Sequence, residues 1–358
     1  MPSGISIRTR RRLWFASLGV CALPGCLEVL MEATGDRDFT DVGHECHIVA
    51  QEDDPQVARS VSSLTDEERE EFKELIEDRH GFSNLVLMCL KHSRIIDDPK
   101  QGYSVARVVE IKRNHEAEMN NRRSPQDRRE AAAELAYAEI VEEWEDRIRL
   151  DDWERLISPL VADGHPRMSV EHFDSLRFAT QWLFKRVWMG SNRDLEAAFE
   201  NFRLVLQDLL NVLERYPHAH LRETQGLVAI ARFYNDPEYW GPEPDHRALD
   251  EMYDYWSALV EDLAYELTRS ANLVCNVVRR TLDPSYRARH GVTTLTAGPF
   301  MDDFSLRTHR PHYLPDAGSS PYEGLPEFVD ARTARDIHRG EGHPPRGLSL
   351  PGTSLFDA

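Results

Sequence analysis

The chain has 358 residues, more than one ordinary domain needs and fewer than three would fill, so two domains are expected. Apolar residues make up 41% and charged residues 29%, a balance that supports packed cores and excludes general disorder. The formal net charge of -19 excludes a broad nucleic-acid-coating role, because so acidic a body is repelled by phosphate unless its basic groups are gathered locally.

In chain order, Arg8, Arg10, Arg11 and Arg12 precede the apolar run Leu13 to Val20, and Leu23-Pro24-Gly25-Cys26 has the form of a lipoprotein cleavage box. Ser17 and Gly19 interrupt the run, Pro24 crowds the cleavage point and Cys21 would be unexplained, so a helix at a domain edge is the preferred reading. Its arginines would form a basic face, with Trp14, Phe15 and Leu18 turned inward. Thr65 with Glu68 three residues later predicts a capped helix start. The first unit is expected to span residues 1–119, closing at Asn120-Asn121-Arg122-Arg123-Ser124-Pro125, where polar turn-formers and a proline interrupt two helical patterns.

From 120 to 300 the pattern reads as all-α. Amphipathic stretches cover Arg128 to Leu150, Trp153 to Val161, Val170 to Trp188, Asp194 to Tyr216 and His246 to Leu282. Arg279, Arg280, Arg287 and Arg289 gather at or beyond the end of the last stretch, either as capping and solubilising charge or as an anion pocket. Tyr239, Trp240, Pro242 and Pro244 form either a recognition loop or a loop anchored to its own core. Val292 to Thr296 is expected as a lone strand, residues 301–358 as an irregular C-terminal segment, and the stretch after Gly340 as a mobile tail. Nothing in the sequence reads as a transmembrane span, a glycine-rich phosphate loop or a nucleophile elbow.

The chemistry is concentrated in the first unit. Cys21-x4-Cys26 and Cys89-x2-His92 offer four soft or borderline ligands, the kind of set that closes a structural zinc tetrahedron. Pro24 and Gly25 favour the tight turn that would aim Cys21 and Cys26 at one ion. Five cysteines, an odd number in a long chain, fit a reducing compartment with metal-bound or free thiols, and the cytoplasm is the expected location.

The order of these pieces resembles the HNH, or ββα-metal, endonuclease family. First comes a cysteine pair, then a histidine in Cys46-His47-Ile48-Val49-Ala50, an asparagine in Asn84-Leu85-Val86-Leu87, and a second knuckle, Cys89-x-x-His92, followed by Ile95-Ile96-Asp97. Similarity to the branch found in bacterial defence and mobile-element proteins continues through Tyr103-Ser104-Val105 to Ile111-Lys112-Arg113-Asn114-His115-Glu116, and covers about the first 118 residues. The resemblance implies an α+β N-terminal HNH domain followed by a mostly α-helical domain that controls it by assembly or by binding a partner.

It further implies a metal-dependent hydrolysis of DNA phosphodiesters, with structural Zn2+ on Cys21, Cys26, Cys89 and His92. His47 would be the general base, Asn84 the brace of the catalytic loop, and Mg2+ or Mn2+ the catalytic ion near Glu45 and His47. The family carries a second histidine after the last knuckle ligand, where this chain has Ser93. Three readings stay open for Ser93: an altered metal site using His44, Glu45 or Asp97 with water, a degenerate nuclease kept as a zinc-stabilised binding or scaffold protein, or a natural histidine exchanged for serine. Cys46 likewise stands where many members have an acidic residue. His44, His80 and His115 are read as bystanders. Candidate phosphate contacts are Arg11, Arg12, Lys91 and Arg94, with a homo-oligomer or regulatory partner concentrating them.

Overall fold

A computed structural model describes residues 4–33, 39–162, 164–240, 243, 245–300, 303–313 and 321–343. The fold is mixed and helix-dominated, with small antiparallel two-stranded sheets. The chain divides into two compact units, Met1–Glu142 with Leu282–Tyr286, and Glu143–Thr281 with Arg287–Ala358.

In the first unit, Ser6 caps α1 (Ile7–Ser17) by accepting from the Thr9 N–H at 3.1 Å. Leu18 ends the helix in the left-handed region, and its N–H closes back on Phe15 and Trp14. Two short strands, β1 (Met31–Ala33) and β2 (Phe39–Asp41), form a hairpin. Next come β3 (His44–His47), α2 (Asp66–Glu71), α3 (Lys73–Glu77), β4 (Leu85–Met88), α4 (Leu90–Asp97) and α5 (Val105–Arg122). The expected capping box is present: the Thr65 hydroxyl accepts from Glu68 N–H while the Glu68 carboxylate accepts from Thr65 N–H.

Strands β3 and β4 pair antiparallel, with Glu45 opposite Leu87 and His47 opposite Leu85. All four β4 side chains are buried, while β3 alternates, placing Cys46 in the core and Glu45 and His47 on the other face. Leu13, Trp14, Leu30, Ile48, Val49, Ile96 and Val108 join β4 in one core. Gly43 is needed at the entrance to β3, since a Cβ there would come within 2.9 Å of the Trp14 ring.

The expected boundary near Asn120 coincides with the break between α5 and α6 (Pro125–Ile148), but the two units divide later, inside α6. The second unit contains α7 (Trp153–Ile157), β5 (Arg167–Ser169), α8 (Val170–Phe184), α9 (Arg193–Arg215), α10 (Ala219–Gln225), β6 (Leu227–Ala229), α11 (His246–Thr281), β7 (Leu295–Ala297), β8 (Arg307–His309) and α12 (Leu325–Ala331). The expected helices are found, each ending earlier than expected, while α6 begins three residues and α9 one residue sooner. Helices α9 and α11 form its centre, and Trp144 stands edge-on to Phe199 and Phe202.

Two expectations for the C-terminal third are corrected. The strand at Leu295 is not alone: it pairs with Arg307-Thr308-His309, whose short polar sequence gives no apolar alternation to detect. Residues 303–313 and 321–343 are built into the second unit, because Asp262 on α11 accepts from the Arg339 N–H at 2.5 Å and the Gly340 N–H at 3.1 Å. The tail expected after Gly340 lies outside the described residues from 344 onward.

Candidate metal and phosphodiester site

The first candidate centre grows from two turns. Pro24 and Gly25, the latter at φ 82°, occupy the central positions of a turn closed by the Cys26 N–H donating to the Leu23 carbonyl at 3.0 Å. This folds Cys26 back toward Cys21, whose strand-like neighbour Ala22 donates to Leu87 of β4 at 2.9 Å. Cys89 is the N-cap residue of α4 and His92 stands one turn into it, so the i, i+3 spacing puts both on one side.

The ligand atoms of Cys21, Cys26, Cys89 and His92 all lie within 4.8 Å of one another. His92 Nδ1 is 3.2 Å from Cys89 Sγ and 3.4 Å from Cys21 Sγ. Zinc bonds of about 2.3 Å to sulfur and 2.0 Å to nitrogen give tetrahedral S···N edges of about 3.5 Å. This Cys3His group therefore fits a metal ion such as zinc. Burial pushes the Cys21 thiol up to about 12 and also raises Cys89, so without a cation these thiols stay protonated. A bound metal would reverse that preference, aided by the N-terminal end of α4 beside Cys89. Burial likewise raises the Cys46 thiol, which lies on the core face of β3 outside this group.

The second centre is a cleft of about 350 Å³ lined by His44, Glu45, His47, Glu52, Arg59, Ser93 and Asp97 among others. His47 closes β3 at its edge. Burial first, then the neighbouring His80, lowers its pKa below the ordinary histidine value, so the imidazole is neutral near pH 7. His80 approaches closely, its Nδ1 3.3 Å from His47 Nε2, with the rings edge-to-face at 70°.

Asn84 is fully buried and ties the backbone just after β3 to the turn that precedes β4. Its Oδ1 accepts from the Val49 N–H at 2.7 Å, and its Nδ2 donates to the carbonyls of Val49 and Arg79, each at 3.0 Å. It makes no hydrogen bond to the His47 imidazole among the described residues. Glu45 accepts from Arg10 Nε at 2.6 Å and Trp14 Nε1 at 3.1 Å, which commits its carboxylate to α1. Ser93 lines the cleft but is buried, and its hydroxyl donates to Leu90 O at 2.9 Å.

Two organising residues were not foreseen. Arg59, buried and at φ 60°, donates to the carbonyls of His47, Ile48 and Ile96 and pairs with Asp97 at 2.7 Å, which links the exit of β3 to α4. Lys112, a site of family resemblance on α5, donates to Phe82 O at 3.0 Å and Leu85 O at 2.7 Å, and so fixes the turn leading into β4. Neither carries a local sequence signal, since each acts on residues distant along the chain.

The basic candidates separate into two groups. Arg11 is paired with Glu134 at 2.5 Å, and the Arg12 guanidinium stands 4.1 Å from the Phe82 ring centre. Lys91 and Arg94 are exposed on α4. In the second unit, Arg280 pairs with Asp194 at 2.7 Å and Arg287 with Glu145 and Asp151 at 2.9 Å, which favours the capping and solubilising reading of that cluster. Trp240 anchors its loop by donating to Phe233 O at 3.0 Å, while Pro242 and Pro244 lie outside the described residues. Among the described residues no helix is long and apolar enough to cross a membrane.

Comparison with protein-family models, with curated proteins and with solved structures finds no match to this chain.

Proposed function

We propose that the chain is a metal-dependent HNH-type endonuclease acting on DNA, with the Cys3His cluster as a structural zinc centre and the His47 cleft as the reaction site. The observation that carries this reading is the β3–β4–α4 succession, in which His47 ends one strand, buried Asn84 precedes the next, and Ser93 and Asp97 project from the helix into one cleft. A neutral His47 is fit to accept a proton from water or to ligate a cation. A divalent ion such as Mg2+ or Mn2+ would supply charge stabilisation at phosphate and leaving oxygen. Arg59 and Asn84 hold the cleft backbone, and exposed Lys91 and Arg94 supply phosphate contacts.

The acidic chain concentrates these few cations through a homo-oligomer or a regulatory partner, in a cytoplasmic role in bacterial defence or on mobile elements. The second unit exposes Phe178, Phe184 and Val187, apolar groups suited to such association. A second reading rests on Ser93, whose hydroxyl is already committed to Leu90: the chain is then a degenerate HNH-fold binding or scaffold protein.

The deciding experiment incubates the protein with plasmid DNA and Mg2+, Mn2+ or no metal, beside His47→Ala and Ser93→His. Cleavage by the native chain that His47→Ala abolishes supports the nuclease. Cleavage by Ser93→His alone supports the degenerate scaffold, and no cleavage by any of the three removes the endonuclease reading for the isolated chain.

A further inference from the structure

The approach of His80 to His47, which lines the cleft, is the least expected feature of the first unit. His80 lies in the turn between α3 and β4, and the Gly81 N–H donates to the Asp78 carbonyl at 3.1 Å to close that turn. The backbone that carries each of the two rings is tied down. Asn84 binds the carbonyl of Arg79, next to His80, and both polar groups of Val49, two residues beyond His47. Arg59 holds the His47 carbonyl from the other side at 3.2 Å.

Two imidazole nitrogens thus face each other at 3.3 Å. Metal–nitrogen bonds of about 2.0–2.1 Å around a tetrahedral ion give an N···N edge of about 3.3–3.4 Å. The pair is already spaced to span such an ion. The surroundings also suit one: His47 lines the cleft of about 350 Å³, and the carboxylates of Asp97 and Glu45 act electrostatically on it. Arg59 pairs with Asp97 at 2.7 Å and Arg10 with Glu45 at 2.6 Å, which offsets those carboxylates.

We propose that His47 Nε2 and His80 Nδ1 form a second metal site, separate from the Cys3His cluster, that takes a borderline transition-metal ion of the Zn2+ or Co2+ class in preference to Mg2+. Imidazole suits these ions, whereas Mg2+ selects oxygen ligands and keeps its waters. Water fills the remaining positions. His80 becomes a ligand of the site and Asn84 a positioning residue that fixes the separation of the two rings. This deepens the nuclease reading by naming the ligands of its ion and by putting a softer ion in place of the Mg2+ or Mn2+ of that reading, and it rests on that reading only for what the ion is used for.

The test needs no DNA. The full chain is dialysed to equilibrium against Zn2+, Co2+ or Mg2+ and bound metal is counted by elemental analysis, for the native protein, His80→Ala and His80→Phe, with circular dichroism and thermal melts to establish that each variant folds. The expected result is two equivalents of Zn2+ or Co2+ in the native chain and one in each variant, with the cobalt–thiolate absorption of the Cys3His cluster unchanged and Mg2+ not retained. One equivalent in the native chain, or two in the variants, overturns the proposal.

A second measurement uses the native chain alone: diethyl pyrocarbonate labelling mapped by mass spectrometry with and without Zn2+. Protection of both His47 and His80 supports the site, and labelling unaffected by Zn2+ overturns it. Two equivalents with no DNA cleavage would leave this site standing and remove the nuclease. Cleavage with one equivalent would do the reverse.

Discussion

Asn84 clamps Val49 from both sides, accepting from its N–H at 2.7 Å and donating to its carbonyl at 3.0 Å, while the second Nδ2 hydrogen reaches Arg79. The clamp satisfies backbone groups that strand pairing does not reach, since β3 ends at His47. Asn84→Ala leaves these buried groups unpaired and is expected to cost about 2–4 kcal/mol in urea or guanidinium unfolding. Wild-type stability in this variant would show that water replaces the amide.

Stripping the Cys3His cluster of its ion is expected to lower the melting temperature, because ligand binding present only in the folded state adds directly to stability. Cys89→Ala removes a ligand at the N-cap of α4 and should lose one equivalent of bound zinc together with that increment. A melt that neither chelator nor Cys89→Ala alters would remove the structural role of the cluster.

His172 on α8 is 2% exposed, and neither ring nitrogen has a hydrogen-bond partner among the described residues. Burial first, then the charges of Arg149 and Arg155, depresses its pKa to about 4, with Asp152 opposing. The unfolded chain therefore takes up this proton more readily than the folded one. The contribution is intact above the unfolded value near 6.5 and is lost as pH falls from there to about 4, to an extent of about 3 kcal/mol. Denaturation followed across that window should show the loss, and His172→Phe should flatten it; an unchanged slope in the variant would assign the pH dependence elsewhere.

Arg332 and Asp262 are both buried, and Arg332 Nη1 donates to the Asp262 carboxylate at 3.4 Å while Nη2 donates to Glu341 O at 3.1 Å and Gly342 O at 3.2 Å. Arg332→Ala leaves a buried carboxylate without its cation and is expected to cost about 3–5 kcal/mol. Limited proteolysis of the same variant should cut residues 332–343 faster than in the native chain; equal rates would mean that Asp262 alone holds the segment.

The sequence was informative where structure is local or repeats at a fixed period. The Thr65–Glu68 box, the long helices and the Cys21/Cys26 turn all depend on residues within one or two turns of each other. Meeting of the two knuckles was also legible, because four metal-binding side chains have few other ways to be satisfied together. The braces of the cleft were not. Arg59 works on Ile96 and Asp97, Lys112 on Phe82 and Leu85, and His80 on His47, and no periodicity links such partners. The pairing of β7 with β8 was hidden for the related reason that its cross-strand side-chain contact is polar, the Thr296 and Thr308 hydroxyls meeting at 2.8 Å, and shows no apolar alternation.

The Cys3His cluster joins chain positions about sixty residues apart, whereas β3 and β4 are separated by about forty, and closing a loop costs entropy that grows only slowly with its length. An ion that bridges Cys26 and Cys89 while the chain is still folding would confine the two strands' search to a tethered volume, and its tighter hold on the finished fold would supply the stability. Metal supply during synthesis would then set how quickly the β3–β4 register is found, so that a shortage would appear first as slow maturation and only later as lost stability.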